Sequence, residues 1–251
     1  MVNYNFLQNL PDADELPDSD DTPVDNELQA LVPGLLRGIL SYLWSSRQDW
    51  FFGFNMGVYH ATGENPRVAI VPDGFLSLGV PNRRDSEGRK SYIVWLENNI
   101  PPIFVLECVS HTYGAEYDDK MKIYAKMGVS YYAIYNPNFY RRDRHEVFEV
   151  YQLVDGDYIR LSGEPVWMPE IGLAIGRGIG TFENWQREWL YWYDAEGNRY
   201  PTPEEIAYRE RQRADAEQQR AEAERQRAEA ERQRADRLAQ LLREQGINLD
   251  D

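Results

Sequence analysis

IFVLECVSHTYGAEYDDKMKIYAKMGVSYYAIYNP, residues 103–137, decides the fold. Ile103 to Val109 is apolar throughout except for Glu107, the pattern of a strand covered on both faces. Residues 115–127 place Met121, Tyr124 and Ala125 at helical spacing, with Lys126 in the last turn and Gly128 where a left-handed cap belongs. Val129 to Tyr135 is a second strand, stopped by Asn136-Pro137. Strand, helix and strand in this order predict a βαβ unit and a parallel pair. An ionised carboxylate among Val105, Leu106, Cys108 and Val109 is costly, so Glu107 must meet a cation, a metal or hydrogen-bond donors.

Upstream, Arg67 to Val71 reads as a short strand that ends at Pro72-Asp73. Tyr92 to Glu97 reads as a further strand, and the aromatic run from Trp50 to Gly63 as a strand and turn. Residues 27–47 carry apolar side chains at helical spacing. Pro33 is best tolerated in the first turn, which predicts a regular helix starting close to it; Asn26 or Asp25 would cap an earlier start. Downstream, residues 145–163 form a hairpin with Asp155-Gly156 as its turn. A short apolar end-piece and a cluster of four aromatics, Trp189, Tyr191, Trp192 and Tyr193, close the domain.

The 251 residues suffice for one well-buried domain with an appendage. An aromatic content of 13% marks a folding composition. The formal net charge of -15 argues against non-specific nucleic-acid binding through the overall field, while leaving room for a local basic cleft. Residues 204–251 hold 10 basic and 13 acidic side chains, so most of the acidity belongs to the body. A single cysteine, Cys108, excludes a disulfide framework and a Cys-rich metal site. The first residues lack the basic and apolar regions of a signal peptide, and no apolar run is long enough to span a bilayer. A cytoplasmic protein is expected.

The composition divides the chain into an acidic, Pro- and Asp-rich arm (1–26), a folded domain (27–200) and a charged helix (201–251). Thr202-Pro203-Glu204-Glu205 is a helix start. A seven-residue Arg/Ala/Glu repeat follows, with alanine recurring at 207, 214, 221, 228 and 235. Two readings stand for this helix: a solvated single helix, or a weak coiled coil making a homo-oligomer, most simply a dimer.

Asp73, Glu107 and Lys120 form the candidate catalytic set. Two acids suit a hard cation such as Mg²⁺ or Mn²⁺, which lowers the pKa of bound water and polarises a phosphodiester. A lysine beside them would orient that water or stabilise developing charge. Glu116, Lys120 and Tyr124, four residues apart, would share one row of the helix. The plainer alternatives are a turn-forming role for Asp73 and a structural ion pair of Glu107 with Lys120 or Lys122.

The pattern Pro72-Asp73, Glu107, Ser110, Glu116, Lys120, Tyr124, Gly128-Val129 and Asn136-Pro137 resembles the Uma family of restriction-endonuclease-like proteins, in the PD-(D/E)XK nuclease superfamily. The resemblance covers roughly residues 25–195. It implies an α/β (α+β) fold, a restriction-endonuclease-like mixed sheet flanked by helices, here with a long C-terminal helix added. It also implies metal-dependent hydrolysis of DNA, with Asp73 and Glu107 as metal ligands and Glu116 and Tyr124 in support. Glu27 would be the further acid that such folds bring from the first helix. The superfamily's usual lysine, two residues after the strand glutamate, is replaced by Val109, so Lys120 must take over. Arg83, Arg84, Arg89 and Lys90 in one loop, and Arg141, Arg142 and Arg144 in another, are candidate phosphate contacts, with ordinary solvated loops as the alternative.

Overall fold

The computed structural model describes residues 10–16, 26–63, 65–84, 86–111 and 115–244. Most of the acidic arm, with Asp18, Asp20, Asp21, Pro23 and the candidate cap Asp25, lies outside them. The chain forms two compact units, Met1–Thr202 and Pro203–Asp251.

Helix α1 (Leu28–Leu43) starts five residues before Pro33. Asn26 makes this possible. Its Oδ1 accepts the Leu28 N–H at 2.9 Å, and its own N–H donates to Gln29 Oε1 at 3.3 Å, a reciprocal cap that stabilises the early turn. Pro33 therefore sits inside the helix, against the strand that begins at Gly74: a Cβ added to Gly74 would come within 3.0 Å of the proline Cβ. The buried face, Val32, Leu35, Leu36, Ile39 and Leu40, packs onto the sheet.

Six strands make the main sheet: β1 (Trp50–Gly53), β3 (Gly74–Leu78), β5 (Phe104–Cys108), β6 (Tyr131–Tyr135), β7 (Phe148–Val154) and β8 (Asp157–Arg160), side by side in that order. Only β5 and β6 run parallel, Glu107 lying opposite Ile134. The crossover between them is α2 (Asp119–Met127), capped by Gly128 at φ 88°. Every residue of β5 and β6 is buried, as a central, doubly covered position requires. Asp155 and Gly156, at φ 53° and 94°, turn β7 into β8.

Several expected elements shift. The run Arg67 to Val71 gives only an isolated bridge between Val58 and Ile70; the strand comes after Asp73, not before it. Prolines on both sides of the run deny it a ladder, while Gly74–Leu78 pairs with β1 and β5. Tyr92 and Ile93 form β4, parallel to β2 (Val58–Tyr59), and Val94–Leu96 then winds into a 3₁₀ turn. Helix α2 starts at Asp119, so Glu116 lies in the preceding turn and not in a helical row with Lys120. Ala115, at φ 60°, bends the chain there.

The end-piece and the aromatic cluster are strands of a second sheet: β9 (Val166–Met168), β10 (Leu173–Phe182) and β11 (Trp185–Tyr193). Glu183 and Asn184, both at positive φ, make its tight turn. Trp189 and Trp192 are fully buried against α1 and the main sheet, and the Trp192 indole donates to Leu36 O at 3.0 Å. One face of the main sheet thus carries α1 and the second sheet, while the other carries α2 and the chain around β2 and β4. Among the described residues a four-residue helix α3 (Tyr140–Asp143) completes the first unit, and α4 (Pro203–Glu244), with no buried residue, makes the second.

Candidate active site

Asp73 immediately precedes β3, and Glu107 is the fourth residue of β5. Gly74 pairs antiparallel with Leu106, so one further step of the same register sets Asp73 beside Glu107. Both are buried, at 7% and 1% exposure. Asp73 Oδ2 accepts the Cys108 backbone N–H at 2.6 Å, which ties the loop before β3 to the end of β5.

Helix α2 crosses over this strand end and brings two donors down on Glu107. Lys120 Nζ donates to Oε2 at 2.9 Å, and the Tyr124 hydroxyl to Oε1 at 2.6 Å. One helical turn separates the two residues, which is why one carboxylate can receive both. Lys122 pairs instead with Asp119, at 3.0 Å on the exposed side. Glu116 reaches the same region from the turn before α2. It is 4% exposed, and its backbone carbonyl accepts the Tyr132 hydroxyl at 2.8 Å. Tyr132 was not singled out from the sequence; the alternation of β6 toward α2 is the signal that would have found it.

The ionisable groups of this cluster shift one another. Burial raises the Asp73 carboxyl well above its ordinary range, and the Glu107 charge raises it further. Burial also raises Glu107, opposed by Lys120 and by the Tyr124 hydrogen bond. For Lys120, burial alone would favour the neutral amine, but the Glu107, Asp73 and Glu116 charges outweigh it and hold the proton on. Burial and Glu107 push the Tyr124 phenol up, so it stays a donor. Glu107, Asp73 and Glu116 thus all act on the Lys120 ammonium. The Lys120 side chain, 25% exposed, is the opening to solvent.

The remaining candidates divide. Glu27 is exposed at the start of α1, and the charges felt by Asp73, Glu107 and Lys120 come from one another and from Glu116. Arg89 is not available to a phosphate. Its side chain is 2% exposed; it forks onto Glu97 at 2.8 and 3.1 Å, donates to Pro81 O and Asn82 O, and lies over Phe51. Arg84 stands 3.8 Å from the same Glu97, while Arg83 and Lys90 are exposed. Arg142 binds Asp143 and His111 O; Arg141 and Arg144 are exposed.

Acids at the start of one strand and inside the next, with a lysine brought over by the crossover helix, belong to a restriction-endonuclease-like fold: a mixed sheet flanked by helices. The chain is a member of the Uma2 family, described as "Putative restriction endonuclease", whose family model matches residues 21–180. No curated protein and no solved structure matches it. No helix among the described residues is long and apolar enough to cross a membrane.

Proposed function

We propose that this protein is a metal-dependent endonuclease that hydrolyses DNA phosphodiester bonds. The observation that carries the reading is the placement of Asp73 and Glu107 side by side at the paired ends of β3 and β5, both buried, with Lys120 bonded to Glu107 and reaching solvent. A second buried carboxyl beside an ion pair costs stability, and a bound cation would offset that cost.

The donors fit Mg²⁺ or Mn²⁺, which take oxygen ligands and commonly use one or two carboxylates, completed by water and substrate phosphate. Among the described residues no group of three acidic, His or Cys side chains could hold a metal ion, so the reading asks for a site of two carboxylates with water and substrate phosphate as the other ligands. Asp73 and Glu107 would hold the ion. Once bound, it would lower the pKa of a coordinated water and polarise the phosphodiester. Lys120 donates to Glu107 in the present arrangement; turned toward the solvent opening, the same ammonium would orient the attacking water or neutralise charge on the phosphate. Tyr124 keeps Glu107 aimed, and Glu107, with smaller contributions from Asp73 and Glu116, holds Lys120 protonated.

Nicking of supercoiled DNA in Mg²⁺ or Mn²⁺ tests the reading. Glu107→Gln and Lys120→Ala should each abolish it; cleavage unchanged in both variants would overturn the assignment.

A second reading rests on a specific contact. Both Glu107 oxygens already hold donors, an arrangement that also suits a nuclease fold without catalysis, acting through assembly by α4. The alanine heptads would pair two copies, most simply as a dimer. Light scattering on the full chain and on a chain ending at Thr202 decides this reading: loss of the dimer mass supports it, and an unchanged number of chains per particle removes it.

A further inference from the structure

Two guanidinium groups line one cavity of about 340 Å³ between α1, β1 and the loop after β3. Arg37 projects from the second half of α1, half-buried, 5.6 Å from the centre of the Phe54 ring. Arg83 comes from the loop. Ser41, Gln48 and Asn82 add polar groups to the lining, and Trp44 and Trp50 form an aromatic wall.

What sets this cavity apart is that no acid among the described residues pairs with its arginines. The chain carries 42 acidic against 27 basic side chains, and Arg47, Arg89, Arg160 and Arg177 all have carboxylates. Among the described residues no carboxylate lies within ion-pair distance of Arg37 or Arg83. Their charges act on each other instead, and burial and Arg83 together lower the Arg37 pKa. Holding two like charges beside a half-buried cavity is unfavourable until an anion enters, and the donor fork of a guanidinium matches the geometry of phosphate oxygens.

We propose that the Arg37–Arg83 cavity binds a phosphate group, with Ser41, Gln48 and Asn82 as further hydrogen-bonding partners. The phosphate belongs either to a nucleic-acid strand, which rests on the nuclease reading above, or to a small ligand. The cavity lies beside Trp50, which pairs with Leu78 at the far end of β3 from Asp73, so it is a contact separate from the candidate active site.

Two measurements on the full chain, without added metal, separate the sources. Thermal unfolding is compared in inorganic phosphate and in chloride of equal ionic strength for the wild type, Arg37→Gln and Arg83→Gln. General salt effects are common to all three proteins, so a phosphate-dependent rise larger in the wild type reads the site alone. Binding of a short labelled duplex is followed by fluorescence anisotropy over a salt series. For nucleic acid, Arg37→Gln should weaken binding about tenfold and reduce the salt slope by about 0.9. A variant-sensitive phosphate response with unchanged duplex binding supports the site and assigns it to a small ligand. Wild-type and variant chains that behave alike in both measurements overturn the proposal. The phosphate-dependent rise in unfolding temperature needs neither metal nor cleavage, so failure of the nuclease reading and failure of this phosphate site are told apart.

Discussion

Glu97 and Glu107 are both buried acids that meet a basic side chain, yet their surroundings differ in one respect. Glu97 and Arg89 are 3% and 2% exposed; the guanidinium is fully used by the carboxylate, two carbonyls and the Phe51 ring, and Arg84 stands outside as a second cation. Around Glu107 the setting is different: Asp73 and Glu116 act on the same lysine, and that lysine reaches solvent. Charge closed on itself stiffens a loop. A pair that stands beside a second carboxyl and opens to solvent can exchange partners, and this distinction, more than burial, separates a strut from a candidate site.

The comparison is most exposed to failure in activity. Glu107→Gln or Lys120→Ala should lower metal-dependent nicking by about 10²-fold or more, while Arg84→Ala should leave the rate per folded molecule unchanged. Equal losses from both ends would erase the distinction.

Stability comes next and runs the other way. Arg89→Ala strands a buried carboxylate and should cost about 3–5 kcal/mol, read as a lower urea midpoint. Glu107→Gln keeps the side-chain shape and an acceptor for Lys120 while removing a carboxyl whose charge burial disfavours, so it should cost clearly less, about 1–2 kcal/mol.

A subtler expectation concerns pH. The folded Asp73 carboxyl titrates above its ordinary value of 3.8, so between that value and its raised folded pKa the native state holds more protons than the unfolded chain. Stability from this group is therefore greatest at acid pH and falls as pH rises through that window. Asp73→Asn should flatten this part of the unfolding profile; a profile identical to the wild type would show that Asp73 is not held protonated. The smallest effect belongs to Arg84→Ala, an exposed partner 3.8 Å from Glu97, expected to shift stability by about 0.5 kcal/mol or less.

The sequence made the βαβ unit legible because its signals agree: an apolar run interrupted only by Glu107, helical spacing after it, and Gly128 and Asn136-Pro137 as stops. Glu107 itself announced a partner, and Lys120 was one of two offered. What favoured Lys120 over Lys122 was the helix start at Asp119, set by the bend at Ala115, which spacing alone does not reveal. The same bend explains Glu116, which reaches the cluster from a turn and not from a helical row. Around Asp73 the reading failed on direction, because Pro72-Asp73 looks like the end of an apolar run when β3 is what it begins. The second sheet was hidden for another reason. Gly176, Gly178 and Gly180 alternate along β10 where a reader expects side chains; Gly176 faces Pro165, and the other two face the Tyr191 and Tyr193 rings. Arg89 misled because a basic residue in a polar loop looks solvated, and only the fold brings Glu97 and Phe51 to it.

The single parallel pair of the sheet has a consequence for inheritance. Glu107, Glu116, Lys120 and Tyr124 all lie between the first residue of β5 and the last of β6, one contiguous stretch of chain. A graft of that stretch into a related scaffold would carry the glutamates, the lysine and the tyrosine together, already aimed by their own crossover. Asp73 alone would have to be found in the recipient, and its bond to the Cys108 N–H would report whether the transplant had seated.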